Sequence, residues 1–368
     1  MTTTLRRTVL ATATSSGAAL LARAAWGLSR ALGASRRSIR PYAAGSTQFR
    51  DGGFHNAMPS TMVAAGQQGS LLRALLTRGA VGRPSKPVPL RTPQPASRSD
   101  ELAVTWLGHA SALLEIDGAI VLLDPVWSQR CSPSTVLGPR RMHPVPVALQ
   151  DLPELDAVLI SHDHYDHLDL PTVQTLLRTQ TAPFVVPLGI GAHLRGWGVP
   201  DDRIVELDWS QHTEVAGLTL TCAEARHFSG RGLTRNTTLW ASWVIVGPSH
   251  RVFFGGDTGY TPTFATIGAQ HGPFDLTLLP VGAYGEQWPD IHMNPEDAVR
   301  AHVDLRGGLL IPIHWATFNL AFHPWAEPAE RVRAAAKEHD AVLAIPQPGE
   351  RVIVADPPEL TDWWTAVA

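Results

Sequence analysis

A short run of histidines and aspartates, SHDHYDHLD at residues 161–169, constrains the fold of this chain more than any other feature. It follows directly on DAVLI at 156–160, an apolar and partly β-branched stretch that is typical of a buried strand. Side chains alternate along an extended strand, so two of the histidines and Asp166 begin on one side, and the following turn can bring His167 towards them. Imidazoles and a carboxylate that converge on one point are typical of a zinc site. The run therefore predicts a strand that ends at a metal centre.

Three further ligand-type residues occupy similar positions later in the chain. His227, Asp257 and His314 each stand where an apolar, strand-like stretch ends. Functional groups commonly lie at such strand ends in layered α/β architectures. A solvated histidine-rich loop would explain the first run alone, but it does not explain this repeated placement. We therefore predict that these residues join the first run in one shared site.

The order of these residues, together with longer strings, carries a resemblance to a known family. HxHxDH, a distant histidine, an aspartate within GGDTGY and a final histidine resemble the metallo-β-lactamase superfamily. TWLGHA at 105–110, GPRR at 138–141 and IHWATF at 313–318 narrow the resemblance to the N-acylphosphatidylethanolamine phospholipase D family, over roughly residues 40–350. The resemblance implies an α/β fold, the αββα metallo-β-lactamase sandwich, with an N-terminal extension.

The resemblance also implies two zinc ions per chain and a role for each ligand. The implied ligands are His162, His164 and His227 for one ion, Asp166, His167 and His314 for the other, and Asp257 as a bridge between them. Asp166 would in addition orient the attacking water, and His292 would contact the phosphate or protonate the leaving alkoxide. Histidine at position 164, where related di-iron oxygen reductases have glutamate, favours hydrolysis over redox chemistry.

Several polar or aromatic residues close to these ligands are interpreted as neighbours of the site and not as ligands. Asp163 is interpreted as a supporting or solvent-facing residue, and His109 as a buried structural histidine. Asn294 is predicted to cap a helix that begins at the following proline. Trp288 and Trp315 flank segments of the site, so they are candidates for the wall of an acyl groove.

The implied function is that of a zinc-dependent hydrolase that cleaves phosphodiester bonds of phospholipids. Phospholipase D-type hydrolysis of N-acylphosphatidylethanolamine-like lipids is the expected reaction. Two alternatives stay open: a lactonase of the L-ascorbate-6-phosphate lactonase type, which needs a small polar pocket, and a non-enzymatic envelope protein on the same fold.

The chain divides into four predicted segments. They are an N-terminal apolar and basic segment at 1–40, a proline-rich wrapping segment and connector at 41–100, the hydrolase domain at 101–355 and a C-terminal tail at 356–368. The uncharged run at 8–22 is shorter than the ~20 apolar residues of a membrane-spanning helix, which leaves a signal, a membrane-surface helix or a tail. Five prolines between residues 82 and 95 exclude a helix there.

Hydrophobic patterning predicts alternating strands and helices within the hydrolase domain. The expected strands are 103–116, 119–123, 157–160, 184–188, 203–207, 218–226, 239–246, 251–255, 275–280 and 308–313, and the expected helices are 170–179, 295–303 and 328–338. The first two strands are joined by Asp117-Gly118, which is a strong signal for a hairpin turn.

Charge and cysteine content limit the partners of the chain. A formal net charge of −3 argues against a nucleic-acid-binding protein, which needs a concentrated basic face. Two cysteines, Cys131 and Cys222, supply neither a disulfide framework nor a thiolate zinc site. We expect a phospholipid substrate, no nucleic acid, and a location in the cytoplasm or at the periphery of the cytoplasmic membrane. Contact with a membrane surface, a homodimer and export stay open.

Overall fold

The computed structural model describes residues 27–61, 81–96, 98–232 and 234–368. In this part of the chain two mixed β-sheets lie face to face, and helices cover their outer faces. The apolar side chains between the sheets include Leu123 of one sheet and Trp243 and Phe254 of the other, all fully buried. The predicted αββα sandwich is therefore confirmed.

The elements alternate along the chain as expected for this architecture. The described strands are β1 Phe49–Arg50, β2 Gly53–Phe54, β3 Ala103–Gly108, β4 Ser111–Ile116, β5 Ala119–Leu123, β6 Ala157–Leu159, β7 Phe184–Pro187, β8 Ile204–Leu207, β9 His212–Val215, β10 Leu218–Ala223, β11 Ser242–Val246, β12 Arg251–Phe254, β13 Phe274–Pro280, β14 Gly307–Ile313, β15 Val342–Leu343 and β16 Arg351–Ile353. The described α-helices are Leu28–Ala31, Arg36–Ala43, Leu170–Thr179, Ile190–Gly196, Thr263–His271, Pro295–Asp304 and Glu327–Glu338.

The two large sheets have the same plan. One has the strand order β16-β3-β4-β5-β6-β7-β8, and the other has the order β15-β14-β13-β12-β11-β10-β9. In the first sheet the pairs from β16 to β5 are antiparallel and those from β5 to β8 are parallel. In the second sheet the pairs from β9 to β12 are antiparallel and those from β12 to β15 are parallel. Each sheet therefore contains parallel strands whose carboxyl ends can carry functional residues.

The predicted hairpin between β4 and β5 is present. Asp117 and Gly118 have φ angles of 49° and 82°, the left-handed values that a two-residue hairpin turn requires. The prediction of a single strand over 103–116 is wrong, because the chain reverses at Gly108 and His109, with φ angles of 103° and 56°. This reversal places His109 at the end of β3.

Other boundaries differ from the prediction where the local sequence gives no clear stop. The predicted strand 218–226 ends at Ala223, and the predicted strand 239–246 begins at Ser242. Elements that the hydrophobic pattern does not predict are the helices Leu28–Ala31, Arg36–Ala43, Ile190–Gly196 and Thr263–His271 and the strands β1, β2, β9, β15 and β16. Most of them are short or lie at sheet edges, where periodicity is weak.

Two helices begin where the sequence supplies a cap. The side chain of Asp169 accepts a hydrogen bond from the first turn of Leu170–Thr179, and the side chain of Asn294 does the same for Pro295–Asp304. Both helices have proline in the first turn, where no backbone N–H is needed. The predicted helices at 170–179, 295–303 and 328–338 are confirmed within one residue at each end.

The segments that flank the central domain pack against it. Ile39 and Phe54 are buried, and residues 81–96 run along the surface without forming a helix or a strand. Trp363 and Trp364 are buried as well, so the predicted C-terminal tail is packed at its end. The uncharged run at 8–22 lies outside the described residues. None of the helices described is both long and apolar enough to cross a membrane.

Candidate metal centre

All seven predicted ligands meet in one place in the structure. The loop after β6 supplies His162, His164, Asp166 and His167, and the other three residues follow β10, β12 and β14. These strands belong to both sheets, so the centre lies between the layers at one end of the sandwich.

Three imidazoles form the first group. The Nδ1 atom of His164 lies 2.8 Å from Nε2 of His162 and 3.3 Å from Nε2 of His227. His162 and His227 are almost completely buried. Three ring nitrogens that face a common point are a suitable ligand set for one cation.

The second group of ligands surrounds the carboxylate of Asp166. Its Oδ2 atom lies 3.3 Å from Nε2 of His314 and 3.6 Å from Nε2 of His167. His109 also reaches this oxygen, with its Nε2 atom at 2.9 Å. His109 is buried, as predicted, and its contact with Asp166 makes it part of the centre.

Asp257 lies between the two groups. Its Oδ2 atom is 3.0 Å from Nε2 of His314 and 3.2 Å from Nε2 of His167, both in the second group. The same oxygen is 3.8 Å from Nε2 of His227 and 3.9 Å from Nε2 of His162, both in the first group. One carboxylate therefore faces both sets of nitrogens, which is the placement a bridging ligand requires.

The electrostatics of the centre favour a cation. Burial lowers the pKa values of His162 and His227 well below the usual range, so these rings are neutral and able to bind metal. Burial also acts against a charge on His314, yet the carboxylates of Asp257 and Asp166 together outweigh it and raise the pKa of His314 to about 9. A positive charge is thus stabilised where the carboxylates converge.

The donor atoms left without partners fit the same conclusion. Oδ1 of Asp257 is buried and lacks a hydrogen-bond partner among the described residues, and Nε2 of His167, although close to Oδ2 of Asp257, forms no well-aligned hydrogen bond with it. Such atoms are costly unless something binds them. Imidazole nitrogens and carboxylate oxygens without a thiolate are a donor set suited to zinc and related divalent ions. The residues present therefore fit a metal centre.

Two residues that the sequence analysis does not assign hold the ligands in orientation. Oδ2 of Asp124 lies 2.7 Å from Nδ1 of His167 and accepts a 2.5 Å hydrogen bond from Oγ of Ser161. The hydroxyl of Ser161 is also 2.9 Å from Nδ1 of His162. These contacts leave the Nε2 atoms of both histidines for the centre. The only signal in the sequence is the position of Asp124 directly after a buried strand.

Asp163 stands within the histidine run but faces away from the ligands. It is 1% exposed, and its Oδ1 atom accepts a 2.7 Å hydrogen bond from the backbone N–H of Gly230. Its Oδ2 atom lies 3.5 Å from Nε2 of His193. Of the two predicted alternatives, the supporting role describes Asp163 and the solvent-facing role does not.

The centre opens into a cavity of about 310 Å³. Its lining outside the ligand set consists of Phe228, Arg235, Ala283, Trp288, Ile291, His292 and Leu320. Trp288 therefore lies where an acyl groove is predicted. Trp315 does not line this cavity, because it is buried and stacks on Trp106 with ring centroids 5.8 Å apart.

His292 forms part of the cavity wall beside the ligands. Its Nδ1 atom lies 3.9 Å from Oδ2 of Asp257, and its ring stacks on that of His314 at a centroid distance of 5.3 Å. Burial lowers the pKa of His292 to about 4. The predicted location of His292 in the site is therefore observed, and its catalytic role stays a prediction.

Comparisons with known proteins agree with this geometry. The family model described as a beta-lactamase superfamily domain matches residues 120–315. An uncharacterised protein of Mycobacterium tuberculosis is 56% identical over 365 residues, which is 97% of this chain and 98% of that protein. The N-acyl-phosphatidylethanolamine-hydrolyzing phospholipase D 1 of Caenorhabditis elegans is 39% identical over 246 residues, which is 63% of this chain and 69% of that protein.

A solved structure supports the fold independently. Igni18, a metallo hydrolase from the archaeon Ignicoccus hospitalis, has a TM-score of 0.53 and 24% sequence identity, and the match covers 68% of this chain and 97% of that one. The chain belongs to the metallo-β-lactamase superfamily. It is a metal-dependent hydrolase of that superfamily, and its resemblance to the N-acylphosphatidylethanolamine phospholipases D is confirmed.

Proposed function

We propose that this protein is a zinc-dependent phosphodiesterase that hydrolyses the head-group ester of phospholipids in the manner of a phospholipase D. The observation that carries the proposal is the position of Asp257, whose Oδ2 atom lies within 3.9 Å of nitrogens from both histidine groups. That arrangement fits a pair of metal ions, and the similarity to a phospholipase D over 63% of the chain supports the lipid substrate.

The proposed reaction needs charge stabilisation more than covalent chemistry. Two zinc ions held by the two ligand groups would activate a water molecule and neutralise the negative charge that develops on a phosphodiester. Asp257, which contacts both groups of ligands, would fix their positions relative to each other. Asp166 lines the cavity, so its carboxylate can also accept a hydrogen bond from the attacking water and orient it.

The cavity wall is suited to a lipid phosphodiester. Phe228, Trp288 and Leu320 give it an apolar surface, which can receive part of an acyl chain. Arg235 lines the same cavity, and its guanidinium carbon lies 5.4 Å from the centre of the Phe228 ring. A guanidinium group at this position can pair with the phosphodiester anion. The combination favours a charged lipid over a small neutral substrate.

His292 is the proposed substrate contact in the cavity wall. Its Nδ1 atom is buried and has no hydrogen-bond partner among the described residues. His292 lines the cavity, and the N–H of a neutral imidazole can donate a hydrogen bond to an oxygen of the phosphate. We therefore assign His292 to binding the phosphate group in the transition state.

The bond cleaved distinguishes this function from its alternatives. Water attacks phosphorus, the bond between phosphorus and the head-group oxygen breaks, and the released alcohol takes up a proton. With an N-acylphosphatidylethanolamine the products are phosphatidic acid and an N-acylethanolamine. Hydrolysis in ¹⁸O-labelled water should therefore place the label in phosphatidic acid.

The test is a substrate panel with the zinc-loaded protein. Vesicles of N-acylphosphatidylethanolamine, phosphatidylethanolamine and phosphatidylcholine are compared with a sugar-phosphate lactone and with a water-soluble phosphodiester. We expect hydrolysis of at least one phospholipid, with the label in phosphatidic acid. Turnover of the lactone alone, or label in the released alcohol, would overturn the proposal.

A further inference from the structure

A segment near the N-terminus reaches the candidate metal centre. Residues 53–61 precede the predicted hydrolase domain and lie outside the matched superfamily region, 120–315. Part of this segment nevertheless lines a second cavity of about 360 Å³ together with His227 and Phe228. The contact that links this segment to the ligands is made by Asn56.

The side chain of Asn56 forms two hydrogen bonds with the backbone of His227. Its Nδ2 atom donates to the carbonyl oxygen of His227 at 2.8 Å, and its Oδ1 atom accepts from the backbone N–H of His227 at 3.1 Å. Oδ1 accepts a second bond, from Nε1 of Trp240 at 2.9 Å, and Nδ2 donates a second bond to Oγ of Ser60 at 2.6 Å. The amide thus uses both of its donors and both of its acceptor positions.

His227 has a structural reason to need such a partner. Strand β10 ends at Ala223, so His227 lies beyond the region that pairs with β11 and β9. Asn56 provides the donor and the acceptor that a neighbouring strand would otherwise offer. The ring is fixed separately, because its Nδ1 atom is 2.8 Å from the carbonyl oxygen of Ile291. Its Nε2 atom is therefore left to face the centre.

We propose that Asn56 is a positioning residue for the metal ligand His227. The segment 53–61 is thereby a functional part of the metal centre. Asn56 acts by fixing the backbone of the ligand, and it does not touch the metal or the substrate. The inference depends on metal binding at His162, His164 and His227, and not on the ester that is hydrolysed.

Other contacts also attach residues 53–61 to the central domain, so attaching this segment is not the main role of Asn56. Phe54 is fully buried in a cluster with Trp240 and Ala225, and its backbone N–H donates to the carbonyl oxygen of Asn236 at 2.7 Å. The carbonyl oxygen of Pro59 also accepts a 2.6 Å hydrogen bond from the guanidinium group of Arg226. None of these contacts involves the amide of Asn56.

The experiment compares zinc affinities of the full chain and its variants by competition with a chromophoric chelator. Asn56→Ala should lower the affinity for one of the two zinc ions by about 10–100-fold, as expected for loss of a group that orients a ligand. The affinity for the other ion should not change. Ser60→Ala removes a neighbour of the same amide without touching His227. Phe54→Leu reduces the apolar packing of residues 53–61 against the domain and leaves the side chain of Asn56 in place. Both controls should bind zinc as the wild type does.

A spectroscopic measurement separates positioning from simple destabilisation. In cobalt-substituted protein, Asn56→Ala should change the visible d–d absorption of one ion, whereas Phe54→Leu should only lower the melting temperature. Asn56→Gln shifts the amide by one methylene and should show the same selective loss, which keeps the test valid if the alanine variant does not fold.

Unchanged zinc affinities in Asn56→Ala and Asn56→Gln would overturn the inference. An equal loss of affinity in Phe54→Leu would also overturn it, because the effect would then come from docking of the segment. The readout is zinc binding, so the absence of phospholipid turnover by the wild type would bear on the proposed function alone.

Discussion

Asp257 makes the contacts that join the two ligand groups, and one substitution tests this role. Asp257→Asn removes the negative charge between the groups, so we expect loss of at least one metal ion and a fall in kcat/KM on the order of 10²–10³-fold or more. Asp163→Asn is the matched control, because the amide oxygen can still accept the bond from Gly230. It should keep activity within about threefold of the wild type. Equal losses in the two variants would contradict the assignment of ligands.

His292 is tested by the leaving group of the substrate. A hydrogen bond to the phosphate helps every phosphodiester, whereas donation of a proton helps only those with a poor leaving group. His292→Ala should therefore lower kcat/KM by about 10²-fold, and by similar factors, for a phospholipid and for a nitrophenyl phosphodiester. A loss confined to the phospholipid would assign His292 to protonation of the leaving alkoxide instead.

At the scale of elements, a buried histidine joins the helix Pro295–Asp304 to the second sheet. Nδ1 of His302 lies 2.8 Å from Oγ1 of Thr277 on β13, and burial lowers the pKa of His302 from 6.5 to about 4. Between these two pH values the unfolded chain binds a proton at this residue and the folded chain does not. The free energy of unfolding therefore falls as the pH is lowered through this range.

The prediction is that the free energy of unfolding depends more strongly on pH in the wild type than in His302→Gln. From pH 7 to pH 5, wild-type protein should lose about 2 kcal/mol more of its free energy of unfolding than His302→Gln, whose side chain does not titrate. Urea denaturation at the two pH values measures this difference, and the subtraction removes the contribution of the other histidines. Parallel losses in both proteins would show that His302 is not the responsible group.

The elements that the sequence predicts well are those whose signals are local. Apolar strands, the turn at Asp117-Gly118 and the cap Asn294 are all visible within a few residues. The edge strand β9 has alternating exposed and partly buried residues and no strong apolar pattern, so periodicity does not predict it. The helix Ile190–Gly196 is not predicted either, since it is short and contains two glycines.

The residues of the candidate metal centre are likewise predictable only where their signals are local. The ligands are predictable because HxHxDH and three strand ends mark them in the sequence. Asp124 and Asn56 act on ligands 43 and 171 residues away, respectively. Such roles depend on tertiary contacts. The position directly after a buried strand is the local signal for Asp124, and nothing within a short window of sequence distinguishes Asn56 from an ordinary polar residue.

At the scale of the whole molecule, the C-terminal residues close the core beside the centre. Trp363 is buried, its Nε1 atom donates to the carbonyl oxygen of Ile345 at 2.9 Å, and its ring lies 5.5 Å from that of Trp315, next to His314. Trp363→Ala should lower the free energy of unfolding by about 3–5 kcal/mol, as for other large-to-small substitutions in a core.

A surface substitution nearby provides the comparison. Glu359 is exposed, so Glu359→Ala should change the free energy of unfolding by no more than about 0.5 kcal/mol. Urea denaturation measures both variants. A small effect of Trp363→Ala would mean that residues 356–368 behave as the tail predicted from the sequence.

The distribution of the ligands over both sheets has a consequence for the order of events during folding. The ligands span residues 162–314, and none of the four strands that carry them can supply the centre alone. Contacts between residues so far apart in the chain form slowly, because the intervening loop must first be closed. The run at 162–167 supplies four of the seven ligands locally, but the complete set of ligands exists only once the two layers have met. A cation bound by the complete set would from then on hold the layers together by mass action.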